Sequence, residues 1–193
     1  MKAIPFLTSI SVAICVLVPA SGTMWYVDGS VSESGRGTSW QTAFQTTQEG
    51  INAASDGDTV IVGEGTYFEN IRLNGKNITV RSTDPLNPSA VANTVIDGDR
   101  TGPAIRFSGT EYETCVLSGL TIRGGRAERG GGICGGASNS PTRATIRNNR
   151  ISNNIAIFGR GLANCIGAVR GNLITGNSAE DTGGLCVSRG AGN

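Results

Sequence analysis

The sequence predicts an all-β protein whose chain winds into a parallel β-helix. Its apolar runs are short, about five residues at most, and each is closed by Gly, Asn, Asp or Pro. Glycine accounts for 29 of the 193 residues, about twice its usual share of ~7%. The last third of the chain also repeats one pattern, at spacings typical of a single β-helix coil.

The repeat starts at Ile122, Ile151 and Ile174, and it reads Ile-x-[Gly/Asn]-[Gly/Asn]-x-Ala before a Gly-[Ile/Leu]-[Cys/Ala] segment. In a β-helix the isoleucines stack inside the coil, the alanines fill a narrow corner, and the glycines adopt positive φ. Asparagines at equivalent positions can form hydrogen-bonded ladders. The two expected ladders are Asn149 over Asn172 and Asn154 over Asn177.

Residues 1–22 are predicted to be a cleaved secretory signal. A charged start at Lys2 precedes the apolar stretch Ile10–Val18, and small residues follow at Ala20–Gly22. The stretch is too short to span a bilayer, so we expect no integral membrane segment after cleavage. The expected location is secreted or at the cell surface.

A single domain is predicted for residues 23–193, and most of its elements are short strands. A helix from Ser39 to Ala54 is the exception, because Ala43, Thr47, Ile51 and Ala54 recur at helical spacing. The predicted strands are Met24–Asp28, Thr59–Val62, Thr66–Tyr67, Ile71–Leu73, Ile78–Val80, Val95–Ile96, Ala104–Phe107 and Val116–Leu117. No end cap follows the last coil, so we expect the domain to be truncated at its C-terminus.

The mature chain carries Cys115, Cys134, Cys165 and Cys186. Export permits two disulfides, with three connectivities. Cys134 and Cys186 are equivalent residues two coils apart, roughly 9.6 Å, which is beyond bridging distance and favours Cys165 as the partner of one of them. The alternative is that some of these cysteines are small buried hydrophobic residues.

Charge and composition limit the function classes. The chain has no histidine, which excludes Ser-His-Asp catalysis and His-ligated metals. Residues 23–114 carry a net charge of −6 and residues 115–193 a net charge of +6. The basic part is suited to a polysaccharide or cell-surface glycan, although surface charge also serves solubility. We expect no cofactor and no nucleic-acid partner.

Several N-terminal segments resemble those of a known superfamily. They are Trp25-Tyr26-Val27-Asp28-Gly29, Gly37-Thr38-Ser39-Trp40, Ala43-Phe44, Gly57-Asp58-Thr59-Val60 and Gly65-Thr66-Tyr67. This region resembles secreted bacterial right-handed parallel β-helix proteins of the pectin-lyase-like superfamily, and the later coils resemble polymorphic outer-membrane protein repeats. The resemblance implies a right-handed β-helix with a short N-terminal capping helix. Its members include lyases, hydrolases and adhesins.

Two sets of residues are candidates for function. The catalytic candidates are Asp97 and Asp99, with Arg123 and Arg126, if the chain is a polysaccharide lyase or glycoside hydrolase. Only the lyase would need calcium. The acidic cluster that could bind calcium is Asp97, Asp99, Glu111 and Glu113. The alternative for Asp97-Gly98-Asp99 is a plain turn. Arg147, stacked over Arg170, is the ligand-binding candidate. The leading hypothesis is a non-catalytic protein that presents a glycan-binding or cell-surface-binding face.

Overall fold

The computed structural model describes residues 22–179, and all element bounds refer to that part of the chain. It contains two short helices, α1 (Thr47–Ala53) and α2 (Pro88–Asn93), and a 3₁₀ turn at Trp40–Thr42. The strands, in chain order, are β1 (Met24–Val27), β2 (Thr59–Val62), β3 (Gly65–Phe68), β4 (Ile71–Arg72), β5 (Thr79–Ser82), β6 (Thr94–Asp97), β7 (Ile105–Arg106), β8 (Val116–Ser118), β9 (Thr121–Arg123), β10 (Arg126–Arg129), β11 (Ile133–Cys134), β12 (Gly136–Ala137), β13 (Ser140–Pro141), β14 (Thr145–Arg147), β15 (Arg150–Ser152), β16 (Ile155–Phe158), β17 (Leu162–Ala163), β18 (Val169–Arg170), β19 (Leu173–Thr175) and β20 (Ser178–Ala179).

The strands form four parallel sheets and one antiparallel hairpin. The first sheet has the order β1-β2-β5-β8-β14-β18, the second β3-β6-β9-β15-β19, the third β4-β7-β11-β17 and the fourth β10-β16-β20, while β12 and β13 form the hairpin. After β2 the chain passes through the first, second and third sheets in turn and then returns to the first, and from β9 onward a strand of the fourth sheet lies between the second and the third. We call each such passage a circuit. The prediction of an all-β protein is therefore confirmed, with parallel pairing throughout the main sheets.

The register of the second sheet confirms the predicted repeat. Ile122 of β9 pairs with Ile151 of β15, and Ile151 pairs with Ile174 of β19. Ile122 and Ile151 are completely buried. Successive circuits therefore stack equivalent apolar side chains across adjacent parallel strands, which lie about 4.8 Å apart.

Both predicted asparagine ladders are confirmed. Asn149 Nδ2 donates to Asn172 Oδ1 over 3.0 Å, and Asn154 Nδ2 donates to Asn177 Oδ1 over 2.9 Å. Asn149 and Asn154 are buried. Each ladder therefore pairs polar groups that the stacked coil removes from water.

The repeat alternates Gly and Asn because its corner requires a left-handed backbone. Gly124, Asn153 and Gly176 occupy equivalent positions, with φ values of 64°, 56° and 62°. Glycine adopts this conformation without steric cost, and asparagine tolerates it better than most residues.

The predicted helix from Ser39 to Ala54 is wrong at its start. Residues before Thr46 cannot continue it, because Phe44 pairs with Val27 of β1 and exchanges backbone hydrogen bonds there. The α-helix begins only after Thr46, whose hydroxyl accepts from Glu49 N while the Glu49 carboxylate accepts from Thr46 N. This capping box sets the helix start. The α2 helix was not predicted.

Candidate functional site: an arginine-lined groove

The site is built on the outer face of the third sheet. The inner row of this sheet, Ile71, Ile105, Ile133 and Leu162, is completely buried. Because side chains alternate along a strand, the next residues point outward. They form the row Arg72, Arg106, Cys134 and Ala163, which lie side by side on adjacent strands. The backbones of Arg72 and Arg106 are thus one strand spacing apart, with both side chains on the same face.

One wall of the groove comes from a connection between the third and first sheets. The third and first sheets are joined over 13 positions from Ile133 to Ile146, over 12 from Ile105 to Leu117, and over only 7 from Leu162 to Val169. Six residues of the longest connection form the hairpin β12–β13, which runs from Gly136 to Pro141. Gly136, Ala137 and Ser138 line the groove, so this hairpin builds the wall.

A buried carboxylate holds the loops of that wall together. Glu111, only 1% exposed, accepts hydrogen bonds from Gly75 N, Ser108 N and Gly109 N over 2.8–3.0 Å, and from Thr142 Oγ1 over 3.2 Å. These donors come from the loops of three successive circuits. A single carboxylate therefore sets the relative positions of the loops beside the groove.

The opposite wall is β10, from which Ala127, Glu128 and Arg129 line the groove. Arg129 lies 5.0 Å above the ring of Phe158 and 3.7 Å from the Glu128 carboxylate. Both contacts restrain the guanidinium. The volume of this open groove is about 630 Å³.

The electrostatics of the groove favour an anion. Arg72, Arg106 and Arg129 line it, whereas Glu128 is the one carboxylate among its lining residues in the described part of the chain. The Arg106 Nη1 atom lies 3.8 Å from Cys134 Sγ, and the Arg72 guanidinium makes no hydrogen bond or ion pair within residues 22–179. The arrangement can bind carboxylate, sulfate or phosphate groups through charge-assisted hydrogen bonds.

The catalytic candidates Asp97 and Arg123 lie elsewhere, on the second sheet, and pair with each other. Arg123 Nε donates to Asp97 Oδ2 over 2.8 Å, and Asp97 Oδ1 accepts from Asp99 N over 3.1 Å. Asp99 has a positive φ of 45°. The segment is a turn that follows an ion pair between adjacent strands β6 and β9, and its catalytic role stays a prediction.

The acidic residues considered for calcium are dispersed. Asp97 pairs with Arg123, Glu111 is enclosed by loop donors, and Glu113 lies 3.9 Å from Arg143. Among residues 22–179, no group of three or more His, Cys, Asp or Glu side chains is placed to hold a metal ion.

The other candidate arginines lie outside the groove. Arg126 belongs to strand β10, which pairs with β16, and it lines a separate pocket beside Arg100. Arg147 and Arg170 do stack, as predicted, on adjacent strands of the first sheet and are exposed. Their role in ligand binding stays a prediction.

Cys115, Cys134 and Cys165 are buried free thiols, and Cys186 lies outside the described residues. Cys134 pairs with Ala163, which confirms the [Cys/Ala] position of the predicted repeat, but a disulfide stays a prediction. Burial raises the pKa of Cys115 to about 12 and also raises the pKa of Cys165. Cys134 is distinct because it borders the groove.

Sequence reasoning missed Arg72 and Arg106 because both fall in the part of the chain with net negative charge. A signal was present. Each arginine follows an isoleucine of the inner row, in the pairs Ile71-Arg72 and Ile105-Arg106. Strand alternation places such arginines on one outer face.

Comparisons with known proteins give one relative and no family. No protein-family model matches the chain, and no solved structure matches it. It is 31% identical over 108 residues to the uncharacterized protein YwoF of Bacillus subtilis (strain 168). The match covers 53% of this chain and 22% of that protein, so the chain spans well under half of the relative's length. Within residues 22–179, no helix has the length and apolar character needed to cross a membrane.

Proposed function

We propose that the protein is a secreted or cell-surface right-handed parallel β-helix that binds an acidic glycan without converting it. Three features support the β-helix: the fixed order in which the chain visits the sheets, the parallel register, and the stacked side chains between circuits. The signal predicted at residues 1–22 supports export. The resemblance to pectin-lyase-like proteins agrees with this proposal.

The observation that carries the binding proposal is the groove itself. Three guanidinium groups, from Arg72, Arg106 and Arg129, line about 630 Å³ that is bounded by loops and by one strand. Arg72 and Arg106 are register partners on adjacent strands, so their side chains can contact successive anionic groups of an extended polymer. No specific observation favours the lyase or hydrolase alternative.

The test compares two matched pairs of stacked arginines. One variant carries Arg72→Gln and Arg106→Gln in the groove, and the control carries Arg147→Gln and Arg170→Gln on the first sheet. Both remove two exposed positive charges from adjacent strands. The probes are sodium polygalacturonate and heparin, with dextran as the uncharged control, and binding is measured by calorimetry at two salt concentrations.

We expect the groove variant to lose at least roughly tenfold in affinity for an acidic probe, because each charge-assisted hydrogen bond is worth about 1.5–3 kcal/mol. The control pair should stay within a factor of roughly two to three. Equal losses in both variants would mean diffuse charge attraction rather than a site. Release of new reducing or unsaturated ends from either acidic probe would favour the enzyme alternative instead.

A further inference from the structure

An insertion in the repeat builds a second groove, remote in sequence from the first. The connection from the first to the second sheet spans 16 positions from Val80 to Ile96, but only five from Leu117 to Ile122 and from Ile146 to Ile151. The additional eleven residues correspond to the loop and helix α2 at residues 83–93. Insertions of this kind in a repeat protein often lie on a binding face.

The inserted segment is held in a defined shape. Asn87 caps α2 by accepting from Ser89 N over 2.9 Å, and Pro88 stands at its first turn. Thr121 Oγ1 of β9 donates to Val91 O over 2.7 Å, which ties the helix to the second sheet. The wall that the insertion provides is therefore largely preformed.

The groove beneath this segment is apolar with one charge. It encloses about 360 Å³, with Pro85, Leu86 and Val91 on the inserted side and Leu173 on the opposite side. Leu86 and Leu173 are 79% and 57% exposed. Arg150 is its one charged lining residue, and within residues 22–179 no hydrogen bond or ion pair engages its guanidinium.

These features define a ligand class. Covering the exposed leucine side chains with an apolar ligand chain lowers the free energy of the complex. The Arg150 guanidinium, which has no hydrogen-bond or ion-pair partner within residues 22–179, can bind a carboxylate or a similar anion in the same groove. The volume lies at the lower end of the range of ligand pockets, about 300–1,000 Å³, which suits a short chain.

We propose that this groove binds a small amphiphilic anion, an acidic head group with a short apolar chain, with Arg150 contacting the head and Leu86 and Leu173 contacting the chain. The site is independent of the glycan groove. Neither proposal needs the other, because Arg150 and the leucines do not line the arginine groove.

The probe is sodium decanoate below its micelle concentration, with octyl glucoside as the uncharged amphiphile and acetate as the head group alone. Calorimetry on the full chain measures affinity. Arg150→Gln tests the head contact and Leu173→Ser the chain contact. Matched controls are Arg160→Gln, an exposed arginine that lines neither groove, and Phe68→Ser, an exposed apolar residue outside both grooves.

We expect saturable decanoate binding that weakens roughly tenfold in each test variant and changes less than about threefold in each control. Acetate should not bind measurably. Octyl glucoside binding as tightly as decanoate, or decanoate binding that Arg150→Gln leaves intact, would overturn the anionic head. The absence of saturable binding, or burial of the leucines by self-association in light scattering, would overturn the ligand site altogether.

Discussion

Replacing Asn154 by alanine should show how much one ladder residue contributes to the free energy of unfolding. This side chain is completely buried. Its Oδ1 accepts from Gly125 N over 2.9 Å, and its Nδ2 donates to Ile122 O over 3.1 Å and to Asn177 Oδ1 over 2.9 Å. It therefore connects three circuits.

The magnitude follows from the backbone N–H of Gly125, which Asn154→Ala would leave unpaired. Gly125 is buried, so this group does not regain water. An orphaned buried group costs about 1–3 kcal/mol, so the variant should lose about 1–3 kcal/mol. With a urea m-value of about 1–3 kcal/mol/M, the midpoint should fall by roughly 1 M.

Urea unfolding followed by circular dichroism measures this loss. Asn154→Leu separates the hydrogen bond from the cavity, because leucine fills the volume but still leaves Gly125 N unpaired. Asn52→Ala is the exposed control, and it should change stability by less than about 0.5 kcal/mol. A loss below about 1 kcal/mol in Asn154→Ala, at unchanged m-value, would refute the reasoning.

Two further predictions concern ionisable groups. Burial alone would raise the pKa of Asp58, but hydrogen bonds from Ser55 N, Trp25 Nε1 and Thr23 N outweigh it and hold the pKa below its usual value. The stability that these bonds provide is present above the ordinary pKa, about 4, and is lost as pH falls through the lowered pKa. The urea midpoint of the wild type should therefore fall more steeply than that of Asp58→Asn between about pH 5 and pH 2, and parallel curves would contradict this. In thiol labelling with iodoacetamide, Cys134 should react before the other two described cysteines, whose pKa values burial raises, and a groove-bound acidic glycan should slow it. Equal labelling of all three cysteines in the folded protein, read by peptide mass spectrometry, would show that the burial argument is wrong.

The stacking in the last third of the chain was predictable in detail, because the repeat encodes it locally. Ile122, Ile151 and Ile174 share a row, and Asn154 pairs with Asn177, as the spacings of 29 and 23 residues predicted. The helix start was not predictable from periodicity. Residues that share an apolar stripe can be buried without being helical, and Phe44 instead pairs beside β1.

The sequence by itself determined the β class, the register of the repeats and the corners that need Gly or Asn, because each depends on contacts between equivalent residues of successive circuits. Only the tertiary structure decided which outward side chains share a groove. Arg72 and Arg106 are 34 positions apart, and they face a common space because the hairpin β12–β13 and strand β10 enclose the same outer face. Enclosure depends on how loops from several circuits pack together, and no local pattern in the chain carries that information.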